Sequence, residues 1–248
     1  MRLQGKTAIV TGGGSGFGAG IVAKFVSEGA RVMIADINLD AAQKIANQMD
    51  GDAIAHQVDV GNAVSVDAMA EAALSKLGHL DILVNNAGVT HLPTPLEDVS
   101  EANFDRVFNV NMKSVYLTAR ALVPHMKERG TGAILNVAST AGVSPRPNLN
   151  WYNASKGWMI TATKAMAVEL APSGVRVNAI NPVAGETPLL KSFMGEDTPE
   201  VRAKFLSTIP LGRFSQPEDM GNAACFLCSD EASMITGVAM EVDGGRCI

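Results

Sequence analysis

"TGGGSGFG" (residues 11–18) lies between a short apolar run, "TAIV" (7–10), and a helical pattern over residues 16–28. Glycines let a backbone turn tightly and approach a pyrophosphate, while the start of a helix offers free N–H donors and partial positive charge. The dinucleotide-binding pattern fits as Gly14-x-Gly16-x-x-Ala19. Strand, glycine turn and helix in this order predict a Rossmann-type nucleotide site. A glycine-rich loop without a ligand is the alternative.

Apolar and β-branched runs alternate with helical patterns along the whole chain. Strands are predicted at residues 7–10, 31–36, 52–60, 81–88, 132–139, 175–182 and 237–245. Helices are predicted at residues 16–28, 39–49, 62–77, 100–128, 152–171 and 217–229. This alternation predicts an α/β fold: a single doubly wound Rossmann-type domain over residues 1–248, with a parallel seven-stranded sheet and helices on both faces.

Three irregular segments, residues 90–100, 144–150 and 181–200, follow the fourth, fifth and sixth predicted strands. Ligands of open α/β sheets bind beyond the carboxyl ends of the strands, so we expect these segments to border the site. The substrate loop is expected at about residues 183–210.

The composition narrows the classes of function. A formal net charge of −5 argues against nucleic-acid binding, which needs a basic face. No apolar run approaches the length of a membrane span, and the three cysteines do not make a disulfide framework. The opening "MRLQGKTAIV" enters a strand-like run without a signal-peptide core, so a cytoplasmic location is expected.

Asp36 ends the second predicted strand and is followed by Ile37. A carboxylate there can accept hydrogen bonds from both hydroxyls of an adenosine ribose, and it repels a 2′-phosphate. The nearby sequence offers no Arg or Lys for such a phosphate, since Arg31 lies at the other end of the strand. The cofactor is therefore expected to be NAD (NADH) rather than NADP. Alternatively, Asp36 caps the helix that follows.

Tyr152 and Lys156 lie four residues apart in "WYNASKG" (151–157), so they share one face of a predicted helix. A nearby ammonium favours the phenolate and lowers the tyrosine pKa from its usual value near ~10. The pair could then donate a proton to a carbonyl oxygen or take one from an alcohol. The spacing alone is common and mostly structural.

Several motifs occur in order along the chain, namely "TGGGSGFG", "NNAG" (85–88), Asn111 in "NVNM", Ser139 in "NVAST" and "YNASK" (152–156). Together they resemble the short-chain dehydrogenase/reductase family, in the branch whose members are about as long as this chain of 248 residues. The family glycine pattern, Thr-Gly-x-x-x-Gly-x-Gly, is matched by Thr11, Gly12, Gly16 and Gly18. The resemblance covers essentially the whole chain. It implies an NAD(H)-dependent oxidoreductase that interconverts a secondary alcohol and a ketone.

The resemblance assigns roles by position. Tyr152 is the expected general acid–base, and Lys156 is expected to hold the nicotinamide ribose and to lower the tyrosine pKa. Ser139 is expected to bind the substrate oxygen, and Asn111 to support a water-linked proton relay to Lys156. The expected cofactor-binding residues are Gly12, Ser15, Gly16, Phe17, Gly18, Asp36, Ile37, Asp59, Val60, Asn86, Ala87, Gly88, Tyr152, Lys156, Pro182, Val183 and Thr187.

A largely apolar pocket is expected beside these residues, for a small neutral or weakly polar ketone or alcohol. Its expected lining is His91, Leu92, Thr140, Ala141, Leu149, Trp151, Val183, Leu189, Leu190 and Phe193. The sequence has no cluster of arginines that would indicate a phosphorylated substrate. The family's Asn-Pro-Gly after the sixth strand is Asn181-Pro182-Val183 here. Valine lacks the conformational freedom of glycine, so the shape of the pocket is what this change affects, and Gly185 could compensate.

Two rival functions are open. One is a 3-oxoacyl-carrier-protein reductase using NADPH; Asp36 argues against it, as does Ser173, which stands where the docking surface of those reductases tends to carry Arg. The other is a dinucleotide-binding regulator without turnover, against which the intact set of Asn111, Ser139, Tyr152 and Lys156 argues. The resemblance also implies a homotetramer, with "EVDGGRCI" (241–248) fitting a strand and tail at a subunit interface.

The other reactive side chains are expected to be structural. Cys225 and Cys228 lie inside a predicted helix on an apolar stripe, without further ligands for zinc. The four histidines are scattered, so no metal is expected, and His91 is expected on a loop surface. The absence of a Gly-x-Ser-x-Gly motif argues against a serine hydrolase.

Overall fold

Seven parallel strands form the sheet in a computed structural model, which describes residues 1–49 and 53–248. The strands are β1 (Thr7–Thr11), β2 (Arg31–Asp36), β3 (Ala53–Gln57), β4 (Ile82–Asn85), β5 (Gly132–Val137), β6 (Val175–Pro182) and β7 (Ala239–Val242). Their order across the sheet is β3-β2-β1-β4-β5-β6-β7. The predicted parallel sheet is confirmed. The first residue of the third predicted strand, Asp52, lies outside the described residues.

Helices follow most of the strands. They are α1 (Gly16–Ser27), α2 (Leu39–Asn47), α3 (Ala63–Leu77), α4 (Glu101–Phe108), α5 (Ser114–Arg129), α6 (Asn150–Leu170), α7 (Leu190–Met194), α8 (Pro199–Leu206) and α9 (Pro217–Cys228). Over the two described ranges of the chain, no helix has the length and apolar character needed to cross a membrane.

The strands supply side chains to hydrophobic cores on both faces of the sheet, because successive side chains of a strand point to opposite faces. Val10 and Ile34 belong to a core that includes Phe25 of α1 and residues of α2 and α9. Ile9 and Met33 belong to the opposite core, with residues of α3, α5 and α6. Full burial of one such large side chain contributes roughly 1.5–3 kcal/mol, so both helical layers are held by the sheet. The doubly wound arrangement is therefore confirmed.

The long helix predicted over residues 100–128 is divided. Residues Asn109–Lys113 form a π-helical turn between α4 and α5. The side chain of Asn111 accepts a hydrogen bond from the Val89 N–H and donates one to the Val89 carbonyl, each at 2.9 Å. A tertiary contact of this kind holds the irregular turn, and the local hydrophobic period does not reveal it.

The stretch over residues 181–200, predicted to be irregular, contains α7 and the beginning of α8. The Thr198 hydroxyl accepts a hydrogen bond from the Val201 N–H, and Pro199 occupies the first position of α8. A threonine followed by proline is a helix-start signal that the sequence does contain. These helices form part of the wall of the site described below.

Candidate active site

A cavity of about 450 Å³ lies beyond the carboxyl ends of the central strands, where the strand order reverses between β1 and β4. Open α/β sheets bind ligands at this switch point. All of the residues expected to bind the cofactor line the cavity. We call the part around Asp36, Ile37 and Asp59 the acidic end, and the part around Ser139 and Tyr152 the tyrosine end.

The glycine turn between β1 and α1 forms the floor of the cavity. Gly12 has a φ of +62°, which favours glycine, and its N–H donates to the Ala35 carbonyl at 2.7 Å. The Asn86 side-chain amide donates to the carbonyls of Thr11 and Gly12 at 2.8 and 3.0 Å. A Cβ added to Gly18 would collide with the Gly12 carbonyl oxygen. The tight turn therefore requires glycine at position 18, because the Gly18 backbone lies directly against the Gly12 carbonyl group.

The first turn of α1 faces the cavity through Ser15, Gly16 and Phe17. Ser15 is the N-cap residue, and its hydroxyl caps no N–H group in the described chain. The free N–H groups and the positive end of the helix dipole suit a pyrophosphate. Thr187 lies beside this turn, 3.2 Å from the position of a Cβ on Gly16. The residues present therefore fit a dinucleotide.

Asp36 is held at the acidic end by two backbone N–H groups. Its carboxylate accepts hydrogen bonds from Gly14 at 2.9 Å and from Asn38 at 3.0 Å. Asn38, rather than Asp36, caps α2, because its side chain accepts from the Ala41 N–H. The helix-cap alternative for Asp36 is therefore wrong. Asp59 adds a second carboxylate, and no lysine or arginine lines this end in the described part of the chain.

Tyr152 and Lys156 are buried in the first two turns of α6, with 5% and 3% of their surfaces exposed. The Lys156 Nζ lies 5.8 Å from the centroid of the Tyr152 ring and donates to the Val137 carbonyl at 2.8 Å. The side chains of Ser139 and Tyr152 both line this end of the cavity. The Ser139 hydroxyl also accepts from the Ala141 N–H at 3.1 Å. Three of the four expected catalytic residues therefore meet at the tyrosine end.

Burial moves the pKa values of the two groups in opposite directions, because it disfavours both charged forms. It raises the pKa of Tyr152 to about 12, and it lowers the pKa of Lys156 to about 8. The neighbouring Ser139 hydroxyl and the charge of Arg146 lower the tyrosine pKa in part. This differs from the expected lowering by Lys156: in the protein alone, burial is the largest effect on Tyr152.

Asn111 lies behind the cavity rather than on its wall, in the π-helical turn. Besides its bonds to Val89, its side-chain amide donates to the Ser155 hydroxyl at 3.0 Å. That hydroxyl donates in turn to the Tyr152 carbonyl at 2.7 Å. Both amide hydrogens of Asn111 are thus used, and the side chain ties the segment after β4 to α6.

Known proteins are similar to this chain over nearly all of its length. A family model described as enoyl-(acyl carrier protein) reductase matches residues 12–246. A 4-formylbenzenesulfonate dehydrogenase of Comamonas testosteroni is 50% identical over 100% of both chains. This protein belongs to the short-chain dehydrogenase/reductase family.

Solved structures of the family agree with the fold. A 3-ketoacyl-(acyl-carrier-protein) reductase from Brucella melitensis, complexed with NADH, is 52% identical, with a TM-score of 0.95 over 99% of this chain and 100% of that one. A 7α-hydroxysteroid dehydrogenase, complexed with NADH and 7-oxo glycochenodeoxycholic acid, is 39% identical, with a TM-score of 0.93 over 98% of this chain and 95% of that one. These relatives are dehydrogenases and reductases, so the family membership supports an oxidoreductase.

The family position that usually holds glycine after β6 is filled by Val183 without backbone strain. Among the described residues, Asn148 is the non-glycine residue with a positive φ. Val183 is 4% exposed and packs with Leu190, Ile209 and Phe214. A Cβ on Gly185 would collide with the Phe17 ring. Gly185 thus permits the close approach of this segment to α1.

The expected substrate pocket is only partly assembled. Six of its expected residues line the cavity, namely Thr140, Ala141, Leu149, Val183, Leu189 and Phe193. Leu190 packs behind Val183, and Leu92 is 60% exposed. The Trp151 ring packs against Phe104 with centroids 5.5 Å apart. His91 is 2% exposed, so the expected position on the surface is wrong. Its Nδ1 is hydrogen-bonded to the Leu92 carbonyl oxygen at 2.8 Å.

The structure adds residues that the sequence interpretation missed. Arg146 and Phe205 line the tyrosine end. A buried chain of hydrogen bonds also runs beneath the site from α5 to α6, through Thr118, Asn85, Asn136 and Thr163, at 2.8–2.9 Å. The sequence does hold a sign of Arg146, because it is the only charged residue in "SPRPNLN" (144–150).

Cys225 and Cys228 pack in the core beneath α1, as predicted. Both are free thiols, and burial raises the pKa of Cys228 to about 12. Within the described ranges, no group of three His, Cys, Asp or Glu side chains could hold a metal ion.

Proposed function

We propose that this protein is an NAD(H)-dependent oxidoreductase that interconverts a secondary alcohol and a ketone. The observation that carries the proposal is one continuous cavity. It joins Asp36 and the glycine turn to Tyr152 and Ser139, so a dinucleotide and a small substrate can lie end to end. The intact catalytic set argues against a regulator without turnover.

The cofactor assignment rests on charge. Asp36 would accept hydrogen bonds from the adenosine ribose, and the start of α1 would hold the pyrophosphate. Asp36 and Asp59 line the same end, so a 2′-phosphate would meet two carboxylates. Lys156 would hold the second ribose near Tyr152. The nicotinamide, when bound, supplies the hydride acceptor or donor.

Tyr152 and Ser139 would together hold the substrate oxygen. In alcohol oxidation, Tyr152 takes the hydroxyl proton; in ketone reduction, it returns a proton to the same oxygen. Ser139 fixes the position of that oxygen, because its own hydroxyl is held by the Ala141 N–H. The Phe193 ring packs edge-on to Tyr152 with centroids 5.0 Å apart and helps to exclude water.

Turnover with NADH should greatly exceed turnover with NADPH, and Asp36→Asn should reduce this preference by roughly tenfold or more. Two like charges about 4 Å apart repel by about 1–4 kcal/mol between water and a protein surface. The substitution removes one charge and keeps a hydrogen-bond acceptor for Gly14. The measurement is nicotinamide absorbance with both cofactors, over a panel of ketones, a 3-oxoacyl thioester and 4-formylbenzenesulfonate, for which one relative is named.

Asp40→Asn is the matched control, because Asp40 is an exposed acid in the first turn of α2 and lies off the cavity wall. An unchanged preference in Asp36→Asn would mean that the ribose is read elsewhere. Turnover of the thioester alone, with NADPH, would favour the 3-oxoacyl reductase. Binding of NADH without any turnover would favour the regulator.

Ser139→Ala should move the pH profile of alcohol oxidation to higher pH. Oxidation needs deprotonated Tyr152, so kcat/KM rises with pH towards the tyrosine pKa. The neighbouring Ser139 hydroxyl lowers the pKa of Tyr152, and removal of this hydroxyl raises it. The check is the midpoint of log kcat/KM against pH at saturating NAD. Ser139→Thr retains a hydroxyl and should restore the midpoint; an unmoved midpoint in Ser139→Ala would contradict the assignment.

The homotetramer and the cytoplasmic location that the sequence predicts are part of this proposal. The family's small-substrate enzymes support a small-molecule substrate.

A further inference from the structure

Arg146 lies on the wall of the tyrosine end, in the segment between β5 and α6. Its guanidinium carbon is 4.7 Å from the centroid of the Phe205 ring. Its carbonyl accepts a hydrogen bond from the Asn153 side chain at 2.7 Å. Because Asn153 follows Tyr152 directly, the helix that carries the acid–base also fixes the arginine backbone.

The guanidinium has no carboxylate partner in the chain as described, where Arg2, Arg120, Arg129, Arg202 and Arg213 each have one. It packs instead on an aromatic face and opens to the cavity. Burial lowers the pKa of Arg146, and the neighbouring charge of Arg246 adds to this effect. A partly buried cation without a counter-ion is unfavourable unless a ligand supplies the anion.

The charges on the cavity wall are divided between its two ends. Arg146 and Lys156 lie towards the tyrosine end, and Asp36 and Asp59 at the other. Lys156 is occupied by the Val137 carbonyl and, in the proposed function, by the nicotinamide ribose. Within the described lining, Arg146 is therefore the cation left for a substrate group.

Apolar side chains line the cavity together with Arg146 and Tyr152. Leu149, Leu189, Phe193 and Phe205 line this end. Flat aromatic and branched apolar walls suit an aromatic or compact hydrocarbon body. A guanidinium fork matches the planar geometry of a carboxylate and also binds the oxygens of a sulfonate.

We propose that Arg146 binds a carboxylate or sulfonate of the substrate. The protein then acts on organic anions in which an apolar, preferably aromatic body links that group to the reacting alcohol or carbonyl. This inference rests on the proposed function and replaces the neutral substrate expected from the sequence.

The test compares three ketones with one body: 4-acetylbenzoate, 4-acetylbenzenesulfonate and 4-methylacetophenone. We expect the wild type to prefer at least one of the anions, and Arg146→Met to lower kcat/KM for that anion by roughly 10- to 100-fold, mainly through KM. The neutral ketone should change by less than about twofold. Arg146→Lys keeps the charge without the planar guanidinium. Its kcat/KM for that anion should lie between the values for the wild type and for Arg146→Met. Arg120→Met, at an exposed arginine paired with Asp67, is the matched control.

A second measurement does not depend on turnover. Calorimetry of 4-tert-butylbenzoate and of the matching sulfonate, each with protein saturated with NADH, should show binding that Arg146→Met weakens by a similar factor. Equal binding by both proteins, or equal losses for anionic and neutral ketones, would overturn the assignment of Arg146. Weakened anion binding without turnover of any ketone would retain that assignment and reject the proposed reaction.

Discussion

Tyr152→Phe should lower kcat by roughly 10²–10⁴-fold, the range typical of a lost general acid–base. The substitution removes only the hydroxyl, and the ring keeps its edge-on contact with Phe193. The glycine turn and Asp36 are untouched, so the Kd for NADH should stay within about twofold. Steady-state absorbance gives kcat, and a fluorescence titration gives the NADH affinity.

Tyr116→Phe is the matched control for this change. Tyr116 is the other tyrosine of the chain, and it lies 58% exposed on α5. It should retain full activity. If Tyr152→Phe kept most of its activity, Tyr152 would not be the general acid–base. A joint loss of NADH binding and melting temperature would instead indicate a structural role.

The part of the cavity around the glycine turn and Asp36, which is expected to bind the cofactor, was predictable because local sequence specifies those elements. A strand, a glycine turn and a helix follow one another within residues 7–28, and Asp36 ends the next strand. Parallel strands bring their carboxyl ends to one edge of the sheet, so separate motifs converge without knowledge of the loops. All of the expected cofactor residues line the cavity, and those outside the glycine turn and Asp36 were expected from the family resemblance.

The tyrosine end, where the substrate is expected, was less predictable because its walls come from loops whose shape depends on tertiary packing. Trp151 was expected in the pocket, but its ring packs against Phe104, and its indole N–H donates to the Leu96 carbonyl at 3.4 Å. Phe205 comes from α8, far along the chain, and meets Arg146 only in the folded protein. A charge in a loop predicts polarity, but only the fold shows which space it faces.

The electrostatics of the tyrosine end also depended on the fold. The four-residue spacing predicted that Tyr152 and Lys156 share a helical face. This is confirmed, since the Lys156 Nζ lies 5.8 Å from the centroid of the Tyr152 ring. Spacing does not report burial, and burial reverses the expected direction of the tyrosine pKa shift. In the proposed reaction, the bound ligands and Ser139 would have to favour the deprotonated form of Tyr152 against this burial.

Gly18→Ala is the second change with a large expected effect. The new Cβ would overlap the Gly12 carbonyl oxygen and lie 2.5 Å from the Asn86 side-chain nitrogen. The turn must open to admit it, which moves the start of α1 away from the pyrophosphate position. Overpacking of this kind costs about 1–3 kcal/mol, so we expect NADH affinity to fall by roughly 10- to 100-fold and the melting temperature to drop. Calorimetric titration and thermal melts measure the two effects.

Gly157→Ala separates this steric effect from the general consequences of adding a methyl group. Gly157 lies inside α6, and a Cβ there would meet only the Gly142 carbonyl oxygen, at 3.8 Å, within the described chain. Alanine favours a helix over glycine by roughly 0.5–1 kcal/mol, so this variant should melt slightly higher and bind NADH unchanged. Wild-type affinity in Gly18→Ala would show that the contact between the Gly12 and Gly18 backbones is not needed for the cofactor. If Gly18→Ala lost stability while NADH affinity was kept, the turn would serve folding alone, and the pyrophosphate position would have to be sought elsewhere in the cavity.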